Sequence, residues 1–288
     1  MMRPTLLRRI AAFTVLVLLL AACSGTSGNG SETTKAPSTT VESTTTTTEA
    51  TTTTSVPATT TTTEAPTTTT EATTTTRDPA VLAIMPIGGW ETQGMAGWST
   101  YRCFLDGMLH DAGVAFDFVG RSSKPFAGDT YGCPFAFDTD SEASHDYSAS
   151  HVISSVTPVV EELQPDVVLI TLGLDDMIKG VEPGDAAAGL ESFITSLQAV
   201  NPDLTIFVAQ IGPCNVPDTE CVDAVPAFND AIASFSDLST DESLVFVVDM
   251  VTDFSLDGLR DGGWGMNDAG DEAVARRWMD ALQETGVF

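Results

Sequence analysis

The chain is 288 residues long, with 40 acidic against 12 basic side chains and a formal net charge of −28. Such a surface repels phosphate backbones and anionic lipid head groups, so no nucleic-acid partner is expected and a membrane must be reached by other means. Apolar residues make up 42% of the chain, enough for a packed core, and neither a Gly-X-Y nor a heptad period is present, which excludes collagen-like and coiled-coil rods.

Arg3, Arg8 and Arg9 lead into an almost wholly apolar run over residues 10–20, followed by Leu20-Ala21-Ala22-Cys23 and Ser24-Gly25. A basic start, a short apolar stretch and a small-residue cleavage site read as a secretory signal. The run is shorter than the roughly 20 residues of a bilayer span. Leu-Ala-Ala-Cys resembles the lipobox of bacterial lipoproteins. That resemblance implies a signal peptide over residues 1–22, with Cys23 lipidated as the first mature residue. The protein is then exported and held on the outer face of the bacterial cell membrane by its lipid alone, each buried CH₂ contributing about 0.8 kcal/mol. An ordinary secretory signal with an incidental cysteine is the alternative. Residues 23–77 are small, polar and then Thr-rich, punctuated by Ala, Glu and Pro. No apolar period offsets the entropy of ordering, so this stretch is expected to be a disordered linker that holds the following domain away from the membrane.

Residues 78–288 form one domain, with seven basic and 35 acidic side chains. The pattern alternates. Residues 80–85 are a short apolar run leading into Gly88-Gly89. Residues 99–112 carry a helical stripe of Phe104, Leu105, Met108, Leu109 and Ala112, with Ser99 expected as the N-cap. Residues 115–119 predict a second strand. Residues 151–163 predict a helix that starts or kinks at Pro158. Residues 166–172, Asp-Val-Val-Leu-Ile-Thr-Leu, are the strongest strand, apolar throughout and so buried on both faces. Helices over 186–200 and 222–235 alternate with strands over 204–210 and 244–249. Residues 268–282 close the chain as a helix capped by Asn267 or Asp268, with Asp271 and Glu272 near its positive end. Strands separated by helices predict a three-layer α/β/α sandwich around a parallel five-stranded sheet. In such sheets the functional crevice lies beyond the C-terminal strand ends. Those are Gly88-Gly89-Trp90, Gly173-Leu174-Asp175-Asp176 and the stretch after Asp249.

Besides Cys23 there are four cysteines, Cys103, Cys133, Cys214 and Cys221. An even number in an exported domain predicts two disulfides, with three pairings open. Cys214 and Cys221 bracket a short loop and are the natural pair, which leaves Cys103 with Cys133. The cysteines lack zinc-type spacing, and no metal or cofactor is expected.

These segments resemble the SGNH (GDSL-like) hydrolase superfamily, nearest its carbohydrate-esterase-like branch, over about residues 80–285. Ile84-Met85-Pro86-Ile87-Gly88 matches the opening block, which in the family continues Asp-Ser. Trp98 to Cys103, Asp111-Ala112-Gly113 and Phe116 to Gly120 are similar to the branch's first helix and second strand. Phe137 to Glu142, Gln164 to Val168, Gly173 to Asp176, and Asp257-Gly258-Leu259 with Asn267-Asp268-Ala269-Gly270 are similar to its later blocks. The resemblance implies a flavodoxin-like fold and, in family members, a serine nucleophile, an oxyanion hole built from Ser and Gly N–H groups with an Asn amide, and an Asp-x-x-His pair. At those positions this chain carries other residues. Trp90 stands for the nucleophile and Gly89 for the Asp before it. Asp146, or Ser150 if the alignment slips, stands for the Gly. Asp175 stands for the Asn. Asp257 is retained, and Arg260 stands for the His.

An indole has no nucleophilic atom, an ionised Asp cannot donate to an oxyanion, and a guanidinium stays protonated up to a pH of about 12. Family-type serine hydrolysis is therefore not expected. Substitute sets are weaker. Ser144-His145-Asp146 is a local cluster of adjacent residues that point apart. Asp146, Asp175, Asp176 and Asp257 are either a calcium set or solvated acids with Asp257 paired to Arg260. Trp90, Trp98 and Trp264 offer faces for sugar rings or, equally, belong to the core. The expected function is a lipid-anchored surface domain binding a cell-wall or environmental glycan or a protein. The alternative is an active carbohydrate or acyl-ester hydrolase with a rearranged catalytic set.

Overall fold

A computed structural model describes residues 78–288 except 218 and 264. The expected signal over 1–22, the lipidated Cys23, the linker over 23–77 and Trp264 lie outside the described residues.

Every strand pair is parallel. The main path runs β2 (Phe116–Phe118), β1 (Leu82–Gly88), β4 (Val167–Thr171), β5 (Thr205–Ala209), β6 (Val245–Val248). The expected five-stranded parallel sheet is present, with one strand added. β3 (Glu142–Ala143) continues the β2 edge, pairing with the last two residues of β1. Two residues carry no readable period, which is why this strand is not legible in the sequence.

Alternation along the strands sends side chains to two separate cores. Met85, Ile87, Val168, Ile170, Ile206 and Val208 face α3 (Ile153–Leu163), α5 (Pro183–Val200) and α6 (Cys221–Ile232). Ile84, Val167, Leu169 and Phe207 face α2 (Tyr101–Asp111) and α7 (Asp268–Glu284). β4 is buried along its whole length, as its unbroken apolar run requires. Pro158 sits inside α3, which begins earlier, at Ile153. Two short helices follow strand ends directly, α1 (Trp90–Gln93) after β1 and α4 (Leu174–Ile178) after β4.

Cys103 is bonded to Cys133, tying α2 to the loop after β2, and Cys214 is bonded to Cys221, closing the loop that leads into α6. Both bonds fit an exported protein. No helix among the described residues is long and apolar enough to cross a membrane.

Candidate functional site

The site begins with two glycines. A Cβ on Gly88 would fall 2.1 Å from Thr92 Oγ1 and 2.7 Å from the Thr171 carbonyl oxygen. Only glycine lets the chain turn from β1 straight into α1, with Trp90 as the first helical residue. Gly173 has φ +120° and a Cβ there would lie 2.5 Å from the Phe228 ring. It turns β4 into α4 and puts Asp175 and Asp176 in that helix's first turn. Gly89, Trp90, Thr171, Gly173 and Asp175 line one small cleft, so three of the positions singled out in the sequence, Gly89, Trp90 and Asp175, are brought together.

Their side chains are committed elsewhere. Trp90 packs edge-on against Phe126, ring centroids 5.0 Å apart, and against His145 at 5.5 Å. Asp175 accepts from Lys179 Nζ at 2.5 Å. Asp176 is fully buried and accepts from the Ala149 amide at 2.7 Å and from the Ser150 hydroxyl at 2.7 Å. Arg260 does not pair with Asp257. Its Nε donates to the Met266 carbonyl at 2.7 Å and its guanidinium lies 4.2 Å from the Trp98 ring centre. Asp257 is exposed, and its carbonyl accepts from the Asn267 side chain that caps α7. Asp146 is also exposed, within 3.2 Å of His145 Nε2. The four acids weighed as a calcium set thus diverge, and among the described residues no group of three or more His, Cys, Asp or Glu side chains converges on a metal position.

The adjacent Ser144, His145 and Asp146 do not form a relay, since the imidazole meets Asp146 and the rings of Trp90 and Phe126 rather than the serine hydroxyl. A different serine does meet a histidine. Ser150 Oγ is 2.7 Å from His151 Nδ1 and 2.7 Å from Asp176 Oδ1. Here the serine lies between the other two groups. A catalytic relay needs the imidazole in the middle, oriented by the carboxylate, so this arrangement fastens the start of α3 to α4.

Beside Trp90 opens a cavity of about 210 Å³. Trp90, Met95, Trp98, Leu174, Ile178, Val216 and Met266 give it apolar walls, and its polar side chains are Glu91, Ser99 and Asp271. Gly265 lies against Trp98, a Cβ there falling 3.3 Å from the indole. The second disulfide holds the loop that carries Val216.

Periodicity and resemblance do not single out this trio. Ser99, the expected cap of α2, does not cap it; Thr100 does, extended at φ −149° and ψ 153°, its hydroxyl accepting from the Arg102 amide. Ser99 is left free to reach α7. Its Oγ is 2.6 Å from Asp268 Oδ1 and 2.7 Å from Asp271 Oδ2. A hydroxyl has one proton, so the two contacts are both full hydrogen bonds only when one carboxyl is protonated. Asp271 is the buried partner, at 4% exposure. Burial is the main cause that pushes its pKa up to about 7, with Asp268 and Glu91 adding to the rise and Ser99 and Arg260 opposing it. Below that pKa the protonated Asp271 can donate to Ser99 and leave the hydroxyl proton for Asp268; above it Ser99 donates to the carboxylates. Burial likewise raises Glu91 to about 7. Its carboxylate meets no hydrogen-bond donor among the described residues.

Residues 140–273 match the model of the GDSL-like lipase/acylhydrolase family. Among solved structures, a carbohydrate esterase family 3 protein from Talaromyces cellulolyticus is 24% identical, with TM-score 0.62, covering 71% of this chain and 98% of that one. A family 3 carbohydrate esterase from Clostridium thermocellum shares 24% identity at TM-score 0.58 with the same coverage. A GDSL-like lipase from Parabacteroides merdae, described as putative, shares 14% at TM-score 0.53, covering 70% of this chain and 95% of that one. No curated protein matches the sequence. The structural likenesses speak for the fold, and the family match spans its second half from β3 into α7. Strand order and these matches agree: the domain has the fold of the SGNH (GDSL-like) hydrolases, and residues 140–273 match the GDSL-like lipase/acylhydrolase family model.

Proposed function

We propose that this is a lipid-anchored surface domain that has kept the SGNH fold, lost the family's serine esterase chemistry, and binds a cell-envelope or environmental glycan at the cavity between Trp90 and Trp98. One observation carries the reading: an indole heads α1, at the strand end where the resemblance assigns the nucleophile, and lines the cavity. Asp175 beside it accepts from Lys179 instead of donating. Arg260, in place of the general base, stacks on Trp98. Loss of a single oxyanion donor alone costs on the order of 10²–10³ in rate. The glycan ligand is favoured by two tryptophans in one cavity and by the likeness to carbohydrate esterases. The full chain is incubated with p-nitrophenyl acetate and with acetylated glycans. Turnover no faster than that of a heat-treated control is expected, and clear turnover would overturn the reading.

A second reading has its own observation. Ser99 lines the same cavity and is hydrogen-bonded to Asp271, a carboxyl that titrates near neutrality. A serine activated by a carboxylate base is a rearranged hydrolase. Fluorophosphonate labelling that maps to Ser99 would favour it over the binding role.

A further inference from the structure

We propose that the group admitted to the Trp90–Trp98 cavity is an organic ammonium, carried either by a free alkylamine or by a sugar whose amine is not acylated. The inference rests on the binding reading above and names the chemistry of the ligand. Three observations point the same way. First, the cavity is small, about 210 Å³ against roughly 300–1,000 Å³ for drug-sized pockets, so it takes a compact group. Second, its walls are two indoles, two methionines and three aliphatic side chains, yet Glu91, a carboxylate with no donor among the described residues, sits among them. A carboxylate in such a setting gains most from a cation that brings its own charge and little need for further hydrogen bonds. Third, the Arg260 guanidinium 4.2 Å from the Trp98 ring centre shows that this indole supports cation–π contact, which leaves its other face and the Trp90 ring for a ligand cation.

Charge decides against the other occupants. Glu91, Asp268 and Asp271 outnumber Arg260, so an anion is repelled even with one proton held between Ser99 and Asp271. A hard divalent ion needs six or more oxygens and water, which walls of Trp, Met, Leu, Ile and Val do not supply. A soft cation with apolar faces matches both the walls and the carboxylate.

The test titrates the full chain at pH 8, following tryptophan fluorescence and calorimetric heat. The probes are tetramethylammonium, tert-butanol as its neutral analogue of similar size, glucosamine and N-acetylglucosamine. Saturable binding of a cationic probe, at least tenfold tighter than its neutral counterpart, is expected. Glu91→Gln, which keeps the side-chain volume, should weaken that binding at least tenfold without lowering the unfolding midpoint. Preference for glucosamine over tetramethylammonium assigns the cation to an amino sugar, and the reverse assigns it to an alkylammonium. Neutral probes binding as well as charged ones, no binding of either cation, or Glu91→Gln binding like the wild type would each overturn the inference. The wild-type comparison stands even if the variant misfolds. Binding of N-acetylglucosamine alone would refute the ammonium and leave the glycan reading standing, whereas ester turnover would refute that reading independently of the probes.

Discussion

Replacing Asp271 with Asn should stabilise the protein, and by more at pH 8 than at pH 5. Asp271 is 4% exposed and its pKa rises from an ordinary 3.8 to about 7, chiefly through burial. Between those two values the folded chain holds a proton that the unfolded chain has given up. Stability therefore falls as pH rises through that window and levels off above it, the reverse of the pattern for a salt-bridged carboxylate. A tenfold change in proton affinity corresponds to about 1.4 kcal/mol, so ionising buried Asp271 costs up to about 4 kcal/mol by pH 8. Asn is close in shape, never ionises, and its amide can donate to Ser99 Oγ as the protonated carboxyl does. Urea unfolding of both proteins at pH 5, 6.5 and 8 isolates the effect, because carboxylates other than the coupled Glu91 and Asp268 cancel in the difference. The variant should exceed the wild type by about 2 kcal/mol at pH 5 and by about 4 kcal/mol at pH 8, a gap that widens across the series. A stability difference that does not change with pH, or a variant weaker at pH 8, would refute the assignment of the proton to Asp271.

Trp90→Ser should not produce an esterase, because Asp175 remains bridged to Lys179 and Arg260 remains on Trp98; hydrolysis of p-nitrophenyl acetate is the readout. Arg102 is fully buried and donates to the Thr92 and Thr139 carbonyls and to the Tyr131 hydroxyl, so Arg102→Leu strands several acceptors and should cost at least about 3 kcal/mol in urea unfolding. Gly173→Ala places a Cβ 2.5 Å from Phe228 at φ +120° and should lower stability by at least about 2 kcal/mol, seen as a lower thermal midpoint. Replacing both Cys103 and Cys133 with Ala opens a link of sequence separation 30 and should cost about 3–4 kcal/mol by the same assay.

What the sequence makes legible follows from where tertiary contacts leave a periodic trace. β4 is readable because both of its faces are buried, so Val167 to Thr171 needs no alternation. The stripes of α2 and α7 are readable because each has one solvent face. β3, α1 and α4 leave no trace. They span two, four and five residues, and neither short helix has a side-chain cap. Their positions come from Gly88, Gly173 and what packs against those glycines, which is three-dimensional information. The family positions are readable through resemblance, and Trp90 and Asp175 do share a cleft.

The cavity acids are harder to read, yet one of them leaves a signal. Asp271 looks like an ordinary charge at a helix start, where the dipole favours an anion by about 0.3–1 kcal/mol at an exposed position. Yet it stands three, four, seven and eleven residues before Val274, Ala275, Trp278 and Leu282, all buried on the inner face of α7. An acid on that stripe is carried inward with it, and loss of hydration there outweighs the dipole, as the upward shift of its pKa indicates. Such a group needs a hydrogen-bonding partner from another element. Its partner Ser99 is 172 residues away in sequence, and Ser99 reaches it because Thr100 took the capping position. The periodicity of α7 therefore marks Asp271 as buried, while the identity of its partner depends on how α2 packs against α7.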